Sequence, residues 1–163
     1  MSETEKTRHI TSKFCSGNGI DLGSGGDPVV PWAIQFDATR VAHLSYNPVQ
    51  WEGDIFKPLP FRERSLDFVY ASHSLEDAAD WEPILIEWCR VIKPGGFLII
   101  QVPDKERFRA VVAAGQPDNL AHKHESYPGE LTKYINKIGG FSVIMDRFEP
   151  ENDYNILAIF KKI

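Results

Sequence analysis

Cysteine is scarce in this chain. Its two residues, Cys15 and Cys89, lie far apart with no C-x-x-C spacing and no histidine cluster to join them. That pattern excludes a disulfide framework and a thiolate metal centre, and it reads as two reduced thiols in a cytoplasmic protein. Long apolar runs are missing too, since none approaches the roughly 20 residues that a membrane-spanning helix needs. Met1 to Lys13 is polar and charged with no apolar core, so it is not a secretory signal and reads as a frayed tail or short lead-in. Basic residues are outnumbered, with 18 Lys and Arg against 23 Asp and Glu and a formal net charge of −5. Such a balance argues against broad nucleic-acid or anionic-membrane binding, which needs a basic face. Repeats, low-complexity tracts and linkers are absent as well. The 163 residues therefore divide into a flexible lead-in, 1–16, and a single folded domain, 17–163.

What is present alternates between apolar runs and helical patterns, which predicts an α/β fold. Strands are expected at Gly17 to Leu22, at Ala33 to Phe36, in a short run ending near Gly53-Asp54, and at Ser65 to Ser72. Asp80 is placed to cap a helix from Trp81 to Ile92, whose residues Ile84, Leu85, Trp88, Val91 and Ile92 share a face. Lys93-Pro-Gly-Gly96 should stop it, and Phe97 to Val102 is a near-continuous apolar run of the buried-strand kind. Asp104 to Ala114 predicts a short helix and Glu130 to Ile138 another, stopped by Gly139-Gly140. Phe141 to Phe148 and Tyr154 to Lys161 read as two closing strands, joined by a hairpin connection at Pro150 to Asp153. The expected architecture is a Rossmann-like, mostly parallel sheet of seven strands with a C-terminal antiparallel hairpin and helices on both faces.

The densest signal lies at Gly19-Ile-Asp-Leu-Gly-Ser-Gly-Gly-Asp-Pro28, followed by Gln35-Phe-Asp37. Glycines at 23, 25 and 26 permit a sharp turn and close backbone approach to a ligand, and an acid ends the next strand. This points to a nucleoside-containing cofactor. A dinucleotide site would want G-x-G-x-x-G opening a helix whose N-terminus takes the pyrophosphate. Here Pro28 holds the third glycine position, Pro28-Val-Val-Pro31 leaves almost no room for a helix, and Asp27 would repel a phosphate. A cationic sulfonium nucleoside needs none of these features and tolerates carboxylates. Asp21, Asp37 and Asp54, spaced by 16 and 17 residues, stand at or near the ends of the first three strands, where such sheets bind ligands.

With these landmarks in order, the chain resembles the class I S-adenosylmethionine-dependent methyltransferases, in a compact form with a short first helix and a type-11 methyltransferase domain. The resemblance covers Gly17 to the C-terminus. Asp21-Leu-Gly-Ser-Gly25 is similar to the glycine-rich motif, which implies that Asp21, Gly23, Ser24 and Gly25 cradle the methionine part. By the same resemblance Asp37 takes the ribose hydroxyls, and Asp54-Ile55 contacts adenine. Ser65 to Glu76 resembles the fourth strand and the loop that lies against the cofactor and faces the acceptor, which brings in Ser72 and His73. Arg90 to Leu98 resembles the helix-to-fifth-strand connection, and His122 to Leu131 the late segment before a further helix. Asp77 departs from the pattern, standing where many relatives carry histidine. The short first helix is shared with methyltransferases of glycan and cell-surface biosynthesis.

Each residue also has a plainer role open to it. Asp37 can cap a turn, Asp54 can start an Asx turn, and Asp21 can pin the glycine loop through backbone N–H groups. The resemblance implies methyl transfer by in-line displacement to a small-molecule or glycan-type acceptor, through oxygen or nitrogen. A base is needed only if the acceptor loses a proton. Candidates for that base are His73, Asp104, His122 and His124, each of which can equally be structural. The two late histidines and Glu125 lack convincing ligand spacing, so no metal is expected. Ser72-His-Ser-Leu75 stands where an amide-methylating enzyme would carry N-P-P-Y, which disfavours adenine or glutamine as acceptor. A different reading is a catalytically inactive, methyltransferase-like binding or regulatory subunit. With so little chain beyond the core, a homo-oligomer or a partner subunit could supply acceptor specificity.

Overall fold

Alternation along the central strands demands cover on both faces of the sheet, and that demand organises the fold. The computed structural model describes residues 2–38, 49–148 and 154–163. Its strands are β1 (Gly19–Leu22), β2 (Ile34–Asp37), β3 (Trp51–Glu52), β4 (Leu66–Ser72), β5 (Ile92–Pro103), β6 (Phe141–Phe148) and β7 (Asn155–Lys162). They form one seven-stranded sheet in the order β3-β2-β1-β4-β5-β7-β6. The first five run parallel, and β7 enters antiparallel between β5 and β6. The strand order reverses at β1 and β4, so their carboxyl ends open the crevice where ligands bind in such sheets.

Successive residues point to opposite faces. Val69 and Ala71 of β4, Leu98 and Ile100 of β5, and Ala158 and Phe160 of β7 join one apolar cluster. Helices α2 (Glu82–Val91) and α4 (Glu130–Ile138) cover it with Leu85, Trp88, Leu131 and Ile135. Phe68, Tyr70, Ile99, Leu157 and Ile159 point the other way into a second cluster with Cys15, Val29 and Val30. Helix α3 (Lys105–Ala113) lies at the carboxyl edge, after β5, with no buried residue of its own.

The second face corrects one expectation. The segment read as a flexible lead-in, 1–16, is ordered into α1 (Glu3–Thr11) and a 3-10 turn, Ser12–Phe14. Ser2 caps α1 by accepting from the Glu5 N–H at 3.0 Å, and Glu3 and Glu5 complement the helix dipole. Its buried face is made of threonines (Thr4, Thr7 and Thr11), which is why no hydrophobic periodicity marked it. Thr7 donates to Gln101 Oε1 at 2.6 Å, and Gln101 Nε2 donates back to the Glu3 carbonyl at 3.2 Å. The expected short first helix is also replaced. Between β1 and β2 the chain makes turns only, and Val29 and Val30 cover the sheet where a helix would lie.

Smaller differences have local causes. The third strand is two residues, Trp51–Glu52, ending just before the expected Gly53-Asp54. Helix α2 starts one residue later than expected, with Asp80 Oδ1 accepting from the Glu82 N–H at 3.2 Å. Its last expected residue, Ile92, already begins β5. Lys93-Pro-Gly-Gly96 is thus an irregular opening of that strand rather than a free turn. Gly96 presses against β4 so closely that a Cβ there would lie 2.6 Å from the Asp67 carbonyl oxygen. The hairpin connection read at Pro150 to Asp153 lies outside the described residues.

The Thr7–Gln101 bond ties α1 to the middle of the sheet. Thr7→Val keeps the side-chain shape but orphans a buried amide oxygen, a loss of about 1–3 kcal/mol. Urea unfolding should show a lower midpoint at unchanged slope.

Candidate functional site

The glycine turn is built from both sides of β1. Ile20 and Leu22 enter one core, so Asp21 between them points to the opposite face, where it is 1% exposed. Its Oδ2 accepts from the Val29 N–H at 2.7 Å, which folds the turn back across the sheet. Gly23, Gly25 and Gly26 all take positive φ, at 74°, 56° and 83°. Gly23 is further confined by space, since a Cβ there would meet the Ser74 Cβ at 2.8 Å. Ser24 is buried, and its Oγ accepts from the Gly26 N–H at 3.4 Å. Asp27 is held by Ser2 and Arg8 of the N-terminal segment, which tethers α1 to the turn.

Asp37 ends β2 beside this turn, with Oδ2 accepting from the Gly25 N–H at 2.8 Å and Oδ1 from the Ala38 N–H at 2.7 Å. Asp54 is exposed and makes an Asx turn, accepting from the Phe56 N–H at 2.9 Å. Ile55 is buried, and its Cδ1 lies 3.7 Å from the position a Cβ on Gly23 would take. The three acids therefore reach the strand ends as expected, each also serving the plainer backbone role. Turn glycines, Asp37 and Ile55 come together. Asp21 lies beneath them.

Ser72 ends β4 and is buried, and His73 follows in a left-handed conformation, φ 51°. A non-glycine residue held there stores strain, a mark of positions that matter to function. His73 Nδ1 sits 3.2 Å from Glu76 Oε1, and His73 Nε2 3.7 Å from Glu3 Oε2. The same Glu76 oxygen lies 3.7 Å from His122 Nε2. Glu76 is fully buried, and its backbone carbonyl accepts from the Lys123 and His124 N–H groups at 2.8 and 3.0 Å. One carboxylate thus joins the loop after β4 to the segment after α3. Among the described residues no group of three or more His, Cys, Asp and Glu has the geometry of a metal centre.

The remaining base candidates are placed differently. Asp104 is buried and caps α3, accepting from the Arg107 N–H at 3.0 Å. His124 stacks on Trp81 at 4.1 Å between ring centroids, and its Nε2 is 2.8 Å from Glu130 Oε1. Both are engaged in holding the fold. Residues that the sequence reading did not single out include Ser74, which donates to the Leu22 carbonyl at 3.2 Å, and Glu76. Glu3 was missed as well, since it lay in the supposed tail. It contacts Tyr154 at 3.0 Å and Asn155 at 2.6 Å. Ser74 and Glu76 carried a signal, both within the loop segment after the fourth strand, and Glu3 carried none.

Electrostatics separate the two halves. Burial lifts the Asp21 carboxyl to about 8, with the charges of Asp27 and Asp37 adding to it against the Val29 bond and Arg8. For His73, burial pulls the pKa down, but Glu76 and Glu3 outweigh it and the imidazole ends above its ordinary value. Burial and the Glu76 charge push Asp77 upward.

Folded Asp21 keeps its proton up to about pH 8, whereas the unfolded chain releases it near its ordinary 3.8. The folded state binds the extra proton in that window, so stability falls as pH rises through it. Asp21→Asn retains an acceptor for Val29 and removes the titration. Its unfolding free energy should fall less between about pH 4 and pH 8 than that of the wild type; parallel curves would refute the buried, protonated acid.

Residues 20–100, about half of the chain, match the family described as "Methyltransferase domain". A protein of Mycolicibacterium smegmatis named "Probable S-adenosylmethionine-dependent methyltransferase" is 27% identical over 128 residues, covering 74% of this chain. The chain spans about half the length of that curated relative, 49%. Among solved structures, an S-adenosylmethionine-dependent methyltransferase of Archaeoglobus fulgidus aligns with a TM-score of 0.73. It is 15% identical over 98% of this chain and 92% of its own. A chain of the Haloferax volcanii complex between the Trm112 methyltransferase activator and a methyltransferase aligns with a TM-score of 0.69. It is 16% identical over 98% of this chain and 91% of its own. At these identities the solved structures show the fold. Joined to the matched domain and to the ordered motifs from Asp21 to Gly96, they establish that the chain belongs to the class I S-adenosylmethionine-dependent methyltransferases.

Proposed function

We propose that this chain binds S-adenosylmethionine at the carboxyl ends of β1, β2 and β4 and moves its methyl group to a small-molecule or glycan-type acceptor, on oxygen or nitrogen. The observation that carries the proposal is the glycine turn held between two acids, Asp21 beneath it and Asp37 bonded to Gly25 N. The residues present suit this cofactor. Each Asp37 oxygen accepts one backbone N–H and keeps a further lone pair for a ribose hydroxyl. The Asp37 carboxylate beside the turn accepts only backbone N–H groups and favours a cation over a phosphate there.

In this reading Gly23, Ser24 and Gly25 hold the methionine part, with Asp21 fixing their turn from below. Asp37 orients the ribose, and Asp54 and Ile55 border the adenine. Ser72 and His73 close the site from β4. The bound cofactor supplies an electrophilic methyl carbon on a sulfonium. The protein's share is to hold the acceptor atom in line and to keep water away.

A second reading has support in the Haloferax volcanii protein solved with an activator. It is a binding or regulatory subunit, or an enzyme completed by a partner chain or a second copy. Turnover of hydroxyl and amine acceptors by the isolated chain separates the two.

Calorimetry with S-adenosylmethionine and S-adenosylhomocysteine should show binding of both, and absence of both would overturn the assignment. Asp37→Ala should weaken S-adenosylhomocysteine by on the order of 10–100-fold, the worth of charge-assisted hydrogen bonds to a diol. Unchanged affinity would remove Asp37 from the site.

A further inference from the structure

Beyond the glycine turn, the structure holds a cavity of about 480 Å³ between α3 and the segment before α4. That size suits a small organic molecule. Its walls include Pro103, Phe108, Val112 and Ala113, with Leu120 among them and 92% exposed. Lys105 and Arg109 also line it; Glu125 pairs with both, and with Asp118, also in the lining, the formal charges sum to zero. The lining thus joins an apolar wall to polar residues, Asn119 and His124 among them, with no net formal charge. His122 lies at the wall, 14% exposed in its side chain, with its ring 4.9 Å from that of Phe108.

Behind His122 stands Glu76, whose two carboxylate oxygens are buried and make no aligned hydrogen bond among the described residues. A carboxylate so placed costs free energy unless cationic or N–H groups face it. His122 offers Nε2 at 3.7 Å and His73 offers Nδ1 at 3.2 Å, both to the same oxygen. At 3.7 Å the contact with His122 is electrostatic rather than a hydrogen bond; it favours the N–H on Nε2, so that Nδ1 is the nitrogen to accept a proton. The row His73–Glu76–His122 runs from the end of β4, where the proposed cofactor site lies, to the cavity. Charged and titratable groups around His122 are Glu76, Asp77 and His73 from the loop after β4, Glu3 from α1 through His73, Asp118, Lys123, His124 and Glu125 from its own segment, and Lys105 and Arg109 of α3 across the cavity.

We infer that this cavity takes the methyl acceptor, a neutral hydroxyl compound built on an aromatic ring, and that His122 receives its proton, with Glu76 as the positioning residue. The inference rests on the methyltransferase reading above. In the transfer the acceptor O–H bond breaks and its proton passes to His122 Nδ1. The oxygen electron pair forms the new C–O bond to the methyl carbon. The C–S bond breaks with its pair on sulfur, leaving a neutral thioether. A phenol of ordinary acidity is largely un-ionised at neutral pH, so a base at this position has a task to perform.

The probe is 2-naphthol, added to the full chain in the presence of S-adenosylhomocysteine. Imidazole NMR of the wild type should show a saturable shift of the His122 resonance. His122→Gln should lower methylation of 2-naphthol by about 10²–10³-fold, the range for loss of a general base, with S-adenosylhomocysteine affinity unchanged. Glu76→Gln, retaining that affinity, should lower kcat for 2-naphthol with its KM unchanged, a split that a purely structural carboxylate would not produce. If S-adenosylhomocysteine binds but 2-naphthol does not shift His122, the acceptor site is overturned while the methyltransferase reading stands. A shift by methyl β-glucoside in its place overturns the aromatic acceptor class. Wild-type turnover in His122→Gln overturns the base. Failure of S-adenosylhomocysteine to bind overturns the underlying reading, and this inference with it.

Discussion

Two-sided burial of the central strands is the constraint on which the rest of this structure depends. In β4, β5 and β7 both sets of alternating residues are apolar, so each face of the sheet must be roofed or the strands would expose their cores to water. One face is covered by α2 and α4. The other lacks a helix after β1, and the cover comes from Val29, Val30, Cys15 and the N-terminal helix. That substitution brings α1 to the site. Ser2 and Arg8 reach Asp27 on the glycine turn, and Glu3 reaches His73, Tyr154 and Asn155. A packing requirement has thereby placed polar side chains of the N-terminal segment between the two halves of the site.

Two buried carboxylates organise those halves in different ways. Asp21 is neutralised by its surroundings, because burial and neighbouring acids favour its protonated form while the Val29 N–H bond holds the turn. Glu76 has imidazoles for company, and two histidines from separate segments converge on one of its oxygens. The difference follows from what each face supplies. Asp21 sits under a turn carrying further acids, whereas Glu76 sits where the loop after β4 meets the segment after α3.

Much of this was legible in order along the chain. Strand formers at Ser65 to Ser72 and the near-continuous apolar run at Phe97 to Val102 marked central strands, and Leu131, Tyr134, Ile135 and Ile138 marked α4 at its observed bounds. Pro28 and Pro31 announced that little room remained for a helix after the glycine turn. The glycines and the acids at 21, 37 and 54 were readable because a turn and a strand end each impose their own residue types. Helix α1 was not readable, for its buried face is threonine and its anchor is the hydrogen bond from Thr7 to Gln101, far away in sequence. Nor could sequence show that Asp104 and His124 are occupied by a helix cap and by Glu130 and Trp81.

Local chemistry, then, was enough to determine the strands, the glycine turn and the acids at the ends of the first three strands, because hydrophobic period and turn stereochemistry act between near neighbours. Which carboxylate meets which histidine was decided only in three dimensions. Glu76 and His122 are 46 positions apart, and Glu3 and His73 are 70. Those pairings arise from the parallel crossovers that bring the ends of β4 and β5 side by side, together with the N-terminal helix laid against them. No local propensity encodes such a meeting, because the distance between the groups is set by the packing of the whole sheet.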